Sequence, residues 1–144
     1  MNKFLTMGMA GAFAAGLSFA AFAQDSASTE VSTAHAHALM AQSAKNIATA
    51  HEHLHHVVNC LVGANGAGFD AKAGDPCKGQ GNGAIPDSAS NEALHSKLEN
   101  ALSDAQSGLK SDSLATVQQD AGKAAATLQD TGSQAKKASG GYSW

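Results

Sequence analysis

The chain has 144 residues, with nine lysines, no arginine and twelve acidic residues, so its formal charge at pH 7 is −3. This length fits a single domain. The slight negative charge and the lack of arginine argue against a basic patch, so we expect no nucleic-acid partner.

Residues 1–23 have the features of a secretory signal peptide. Met1–Lys3 is a short basic start, an apolar run follows from Phe4 to about Ala20, and Ala21–Ala23 reads A-F-A, an A-x-A cleavage site. A stop-transfer pattern is missing, so removal is favoured over membrane anchoring. We therefore expect a periplasmic or secreted domain over residues 24–144, without membrane contact after cleavage.

The next segment predicts the first helix of the domain. Residues 24–32 are rich in Ser, Thr and Asp, and we expect them to be loose. Residues 33–62 contain no Pro or Gly, and large or small apolar residues recur there at alternating spacings of four and three. That stripe comprises Met40, Ala44, Ile47, His51, Leu54, Val58 and Leu61. It predicts one long amphipathic helix over about 33–62.

A glycine-rich loop follows this helix. Residues 63–87 hold seven of the 15 glycines and both prolines of the chain. Cys60 and Cys77 flank its first part, and in an exported protein they predict a disulfide, worth about 3 kcal/mol, that ties the loop to the helix. Two thiolate metal ligands are the alternative, but the spacing matches no C-x-x-C knuckle. We expect Phe69 and Ile85, the large apolar residues of the loop, to cap the core.

Two further helices are predicted, over about 89–109 and 112–137. Both repeat apolar residues at spacings of three and four, and Ser or Asp residues stand where each would begin. The short turn between them makes them antiparallel neighbours. The predicted fold is therefore all-α, a small up-down-up bundle of three helices with a long disulfide-tied loop between helices one and two.

The stretch A-H-E-H-L-H-H, which contains His51, His53, His55 and His56, carries the main functional signal. On one straight helix, His51 lies in the apolar stripe and His55 about 40° away on the same face. His53 and His56 lie about 200° and 140° away, toward solvent or the other flank. The favoured chelating pair is therefore His51 and His55.

The second helix offers a matching pair, His95 and Glu99, also four residues apart. Antiparallel packing of helices one and two would bring this pair level with His51 and His55. Three imidazoles and one carboxylate suit Cu(II), Ni(II) or Zn(II). These four residues are the predicted metal site.

His35 and His37 form a second feature, which reads H-A-H and points to opposite helix faces. On a continuous helix they lie about 21 Å or more from His51, so they cannot share its site. Together with His53 and His56 they are secondary metal candidates. For His35 and His37 the favoured interpretation is that they are solvated, and for the whole cluster a solvated face is the alternative to a site.

The sequence thus predicts a small exported His-rich helical protein that binds a divalent transition metal, copper, nickel or zinc, for buffering, storage or tolerance. An H-E-x-x-H match at His51–His55 lacks a third ligand and a substrate cleft, so we expect no enzyme. The alternative is an acid- or stress-responsive, chaperone-like periplasmic binding protein, because histidines at a helical interface gain charge as the pH falls. A homo-oligomer is compatible with either interpretation.

Overall fold

A computed structural model describes the backbone of residues 18–138 and the side chains of residues 26–132. Within that part the chain is all-helical, as predicted, and contains no strand. Its helices are α1 (Ser18–Ser43), α2 (Ile47–Val62), α3 (Ala84–Asp87), α4 (Glu92–Leu109) and α5 (Leu114–Ala138). None of these described helices is long and apolar enough to cross a membrane. The predicted signal peptide falls mainly on residues 1–17, outside the described residues, and stays a prediction.

The predicted helix over 33–62 is two helices in the structure, and the residues expected to be loose belong to the first of them. The break lies at residues 44–46, where Asn46 adopts an extended conformation and its side chain accepts a hydrogen bond of 2.9 Å from the backbone N–H of Thr49. Asparagine is among the best N-cap residues, so a new helix starts here. Because the chain reverses at this point, α1 and α2 form an antiparallel hairpin.

The result is a bundle of four long antiparallel helices in place of the predicted three. α1 lies against α2 and α5, and α4 lies against the same two helices. Cross-contacts fix their register: Gln118 donates to the carbonyl of Ala44 at 2.9 Å, and Lys97 pairs with Asp130. The three-helix prediction missed one helix because the apolar stripe continues across the break in phase.

Small residues form the seams between these helices. The fully buried apolar positions of α1 recur at spacings of four and three, at Ala27, Val31, Ala34, Ala38 and Ala41. Gly108 serves the same purpose in α4, since a Cβ atom there would lie 2.6 Å from Cδ1 of Leu54. Met40, expected in the apolar stripe, is instead 46% exposed, because α1 turns its alanine face to the core.

The glycine-rich loop is tied down as predicted by the Cys60–Cys77 disulfide, whose Cα atoms lie 5.2 Å apart. Buried Asn59 adds a second anchor: its side chain donates to the carbonyls of Asp70 at 2.8 Å and Gly74 at 2.6 Å. Phe69 and Ile85 pack against the core, as expected. The loop is therefore held against the C-terminal half of α2, where it contacts His55 and His56.

Candidate metal centre

Three imidazoles converge on one side of the α1–α2 hairpin. His37 comes from α1, while His53 and His56 stand three residues apart on α2 and share one flank of it. Nδ1 of His37 lies 3.2 Å from Nδ1 of His53 and 3.3 Å from Nδ1 of His56. Their ring centroids are 4.6 to 5.8 Å apart. Among the described residues, these three form the only group of three or more His, Cys, Asp or Glu with ligand atoms within 4.8 Å of one another.

The glycine-rich loop orients one ring of the triad formed by His37, His53 and His56. Nε2 of His56 lies 2.7 Å from the carbonyl oxygen of Ala73, which only accepts hydrogen bonds, so Nε2 carries the proton. In a neutral ring, Nδ1 then holds a lone pair directed at the other two histidines. A backbone carbonyl on the outer nitrogen is the usual way in which proteins fix a ligating histidine.

The surroundings keep His37 uncharged. Burial and, to a smaller extent, the like charges of the neighbouring His56 and His53 together lower the pKa of His37 to about 4. At neutral pH its imidazole is therefore in the form that binds a metal. In the metal-free protein a hydrogen bond between two Nδ1 atoms is the alternative, and metal binding requires all three Nδ1 atoms to be unprotonated.

Two of the three nitrogen separations are those of ligands on a tetrahedral ion, and they also fit N–H···N hydrogen bonds in the metal-free protein. Two ligands at the usual Zn–N distance of about 2.0–2.1 Å and a tetrahedral angle lie about 3.3 Å apart. In a square-planar ion the adjacent nitrogens would lie about 2.8 Å apart. The 3.2 and 3.3 Å separations of the triad agree with the tetrahedral arrangement. Three protein ligands leave a fourth position for a water molecule or another small ligand.

The structure does not bring the four predicted ligands together. Nε2 of His51 lies 3.1 Å from the carbonyl oxygen of Ser111, which is in the α4–α5 turn. Nδ1 of His55 lies 3.4 Å from a carboxylate oxygen of Asp70, in the loop. The two members of the predicted chelating pair thus face different elements.

The other predicted pair, His95 and Glu99, does meet. Nε2 of His95 lies 3.5 Å from a carboxylate oxygen of Glu99, while Nδ1 of His95 lies 3.0 Å from the carbonyl oxygen of Ile85. Neither residue joins the triad. His35, the remaining secondary candidate, is half-buried on α1 and lies outside it as well.

The three triad residues were predicted only as secondary metal candidates, and their convergence was missed because of the helix break. On one straight helix His37 is far from His53, but the turn at residues 44–46 brings His37 into contact with His53. The signal was present in Asn46, a strong N-cap residue followed by a helix-forming run. Reading that cap as a helix start would have placed His37 opposite His53.

Comparisons of the chain with family models, with curated proteins and with solved structures gave no match. A functional assignment therefore has to come from the site itself.

Proposed function

We propose that this protein binds one divalent transition metal ion through the Nδ1 atoms of His37, His53 and His56. The observation that supports the proposal most strongly is the pair of Nδ1–Nδ1 separations, 3.2 and 3.3 Å, from one histidine to the two others. Two further features support it: the Ala73 carbonyl presents the correct nitrogen of His56, and the pKa of His37, lowered to about 4, keeps that ring neutral with one nitrogen unprotonated.

Zinc is the metal that this geometry favours. Imidazole binds Zn(II), Cu(II) and Ni(II), but Cu(II) and Ni(II) prefer tetragonal or square-planar ligand sets. The tetrahedral separations of the triad suit Zn(II), which has no geometric preference from its d electrons. We therefore expect the order of affinity at this site to deviate from the ordinary Irving–Williams order in favour of zinc.

The proposed role is metal buffering, storage or tolerance in an oxidising compartment. The Cys60–Cys77 disulfide supports such a location, because disulfides persist in the periplasm and outside the cell. The signal-like segment at residues 1–23 points the same way. We propose binding and not catalysis, because no Ser/His/Asp order or carboxylate dyad stands out in the sequence.

Calorimetric titration of the oxidised protein, metal-stripped beforehand, tests the proposal. We expect one Zn(II) per chain, with a dissociation constant far below 0.1 mM, and a large loss of affinity in His37→Ala. His35→Ala is the matched control, because it removes an imidazole two residues away on the same helix. Zinc binding weaker than about 0.1 mM, or about −5.5 kcal/mol, would contradict a metal-binding function.

A further inference from the structure

A cavity of about 440 Å³ opens where the end of α2, the short helix α3 and the first half of α4 meet. Its walls are largely apolar, formed by Val62, Ile85, Pro86 and Leu102 among others. Its volume lies within the range of about 300–1,000 Å³ that small-molecule sites occupy. None of the triad histidines lines it, so it is a separate feature of the molecule.

The polar side chains that line this cavity are His95 and Glu99. They are one turn apart on α4, and Nε2 of His95 lies 3.5 Å from a carboxylate oxygen of Glu99. The side chain of His95 is 33% exposed and that of Glu99 is 60% exposed. An otherwise apolar cavity with two converging polar groups at its edge is the usual form of a ligand site.

The hydrogen-bond partners of its Nδ1 atom fix the tautomer of His95. Its Nδ1 lies 3.0 Å from the carbonyl oxygen of Ile85 and 3.3 Å from the hydroxyl oxygen of Ser88. The Ser88 hydroxyl donates its proton to the Ile85 carbonyl oxygen at 2.7 Å. Both oxygen atoms therefore act as acceptors toward the ring of His95. Nδ1 therefore carries the proton, and in the neutral imidazole Nε2 is a bare acceptor.

Two acceptors thus face each other at the edge of the cavity. The lone pair of Nε2 and the carboxylate of Glu99 cannot hydrogen-bond to one another, but both can accept from the same donor. A primary ammonium group has three donor hydrogens and a positive charge that matches the carboxylate. A carboxylate ligand would meet repulsion from Glu99, and an alcohol has one hydrogen for two acceptors.

We propose that this cavity binds a small primary amine, with the ammonium group between His95 and Glu99 and the apolar body against Ile85 and Leu102. The site is independent of the metal proposed at the triad. Its ligands are amines with a compact apolar body, the size of a single ring or a short alkyl chain.

Three compounds with one ring skeleton test this proposal: benzylamine, benzyl alcohol and benzoate. Each is titrated into the oxidised protein at about pH 8, with a metal chelator present, and binding is followed by amide chemical shifts. We expect benzylamine to bind most tightly, benzyl alcohol more weakly and benzoate not at all. The shifted amides should surround the cavity. Binding of benzoate as tight as that of benzylamine, or no shift with benzylamine, would overturn the proposal.

Two variants locate the ammonium group. Glu99→Gln keeps the shape of the side chain and removes its charge, and we expect it to weaken benzylamine binding about threefold to fivefold, as for a partly exposed ion pair. Asp112→Asn, which removes one exposed negative charge in the α4–α5 turn beyond the far end of α4, is the matched control and should leave binding unchanged. Equal effects of the two variants would show that net charge, and not this site, attracts the amine.

Discussion

Five of the seven histidines of this protein fall into two groups that differ in whether their rings meet one another. His51 and His95 each direct a ring nitrogen at a backbone carbonyl of another segment, at 3.1 and 3.0 Å, and so join elements of the bundle. The triad, His37, His53 and His56, instead directs nitrogens at one another. The comparison teaches that a dense run of histidines along the chain does not mark one site. Neighbours in the sequence serve in different groups because they lie on different helix faces.

The largest effect is expected from the disulfide, which holds the loop that orients one triad member. In Cys60→Ala/Cys77→Ala we expect a loss of about 3 kcal/mol of unfolding free energy, from chain entropy. Zinc affinity should also fall, by about tenfold, because the Ala73 carbonyl no longer fixes His56. Denaturant unfolding and zinc titration of the double variant measure the two effects. The variant is preferable to chemical reduction, since free thiols would bind zinc themselves. Unchanged affinity in a destabilised variant would show that the loop does not orient the triad.

Metal binding should stabilise the fold by a similar amount. The unfolded chain does not hold His37 against His53, so zinc at a hundredfold excess over its dissociation constant should add about 2.7 kcal/mol to the unfolding free energy. His37→Ala should show almost none of this gain, whereas His95→Ala should keep it. Denaturant curves with and without zinc provide the measurement. A full gain in His37→Ala would place the metal elsewhere.

The sequence allowed the helical class, the Cys60–Cys77 disulfide and the capping of the core by Phe69 and Ile85 to be predicted, because each rests on local pattern or on cysteine chemistry. The helix break at residues 44–46 was not predicted, since alanine-rich spacing continues through it. The site depended on that break. Periodicity gives the face of each histidine on its own helix, but which faces meet is decided by where the chain turns.

Removing a histidine of the first group should cost stability without affecting the metal. His51→Ala loses the contact with the Ser111 carbonyl, and we expect a loss of about 1 kcal/mol of unfolding free energy, the usual net value of a hydrogen bond. Its zinc-induced stabilisation should equal that of the wild type. His35→Ala, which also removes a half-buried imidazole but from α1, is the matched control for loss of ring packing. A smaller zinc effect in His51→Ala would mean that the two groups are coupled.

A smaller effect on the unfolding free energy is expected from acidification. The pKa of His37 is lowered to about 4 from about 6.5, so between these values the unfolded chain binds a proton that the metal-free folded chain does not. The contribution of His37 to the unfolding free energy therefore falls as the pH drops from about 6.5 to 4.

Buried Glu30 acts in the opposite direction. Burial, helped by the nearby charges of Asp87 and Asp75 and opposed by the hydrogen bond from Gly83, raises the pKa of Glu30 to about 7. Its contribution thus grows as the pH drops from about 7 to 4.5.

Two variants, Glu30→Gln and His37→Ala, separate the opposing contributions of Glu30 and His37 to the unfolding free energy. Between pH 7 and pH 5, with a chelator present, Glu30→Gln should lose more stability on acidification than the wild type, because the slope from His37 remains. His37→Ala should lose less than the wild type, or gain. Denaturant midpoints at the two pH values give the comparison. Identical pH slopes for the two variants would show that neither environment is as the structure places it.

The central claim is that the metal is held by the triad and not by the pair that helical periodicity favours. The most direct measurement is the zinc affinity of His53→Ala beside that of His51→Ala, two variants of α2 that differ by two positions. We expect His53→Ala to lose more than about 100-fold, since it removes one of three ligands, and His51→Ala to stay within about threefold of the wild type. A large loss in His51→Ala with none in His53→Ala would contradict the proposed site and restore the interhelical one predicted from the sequence.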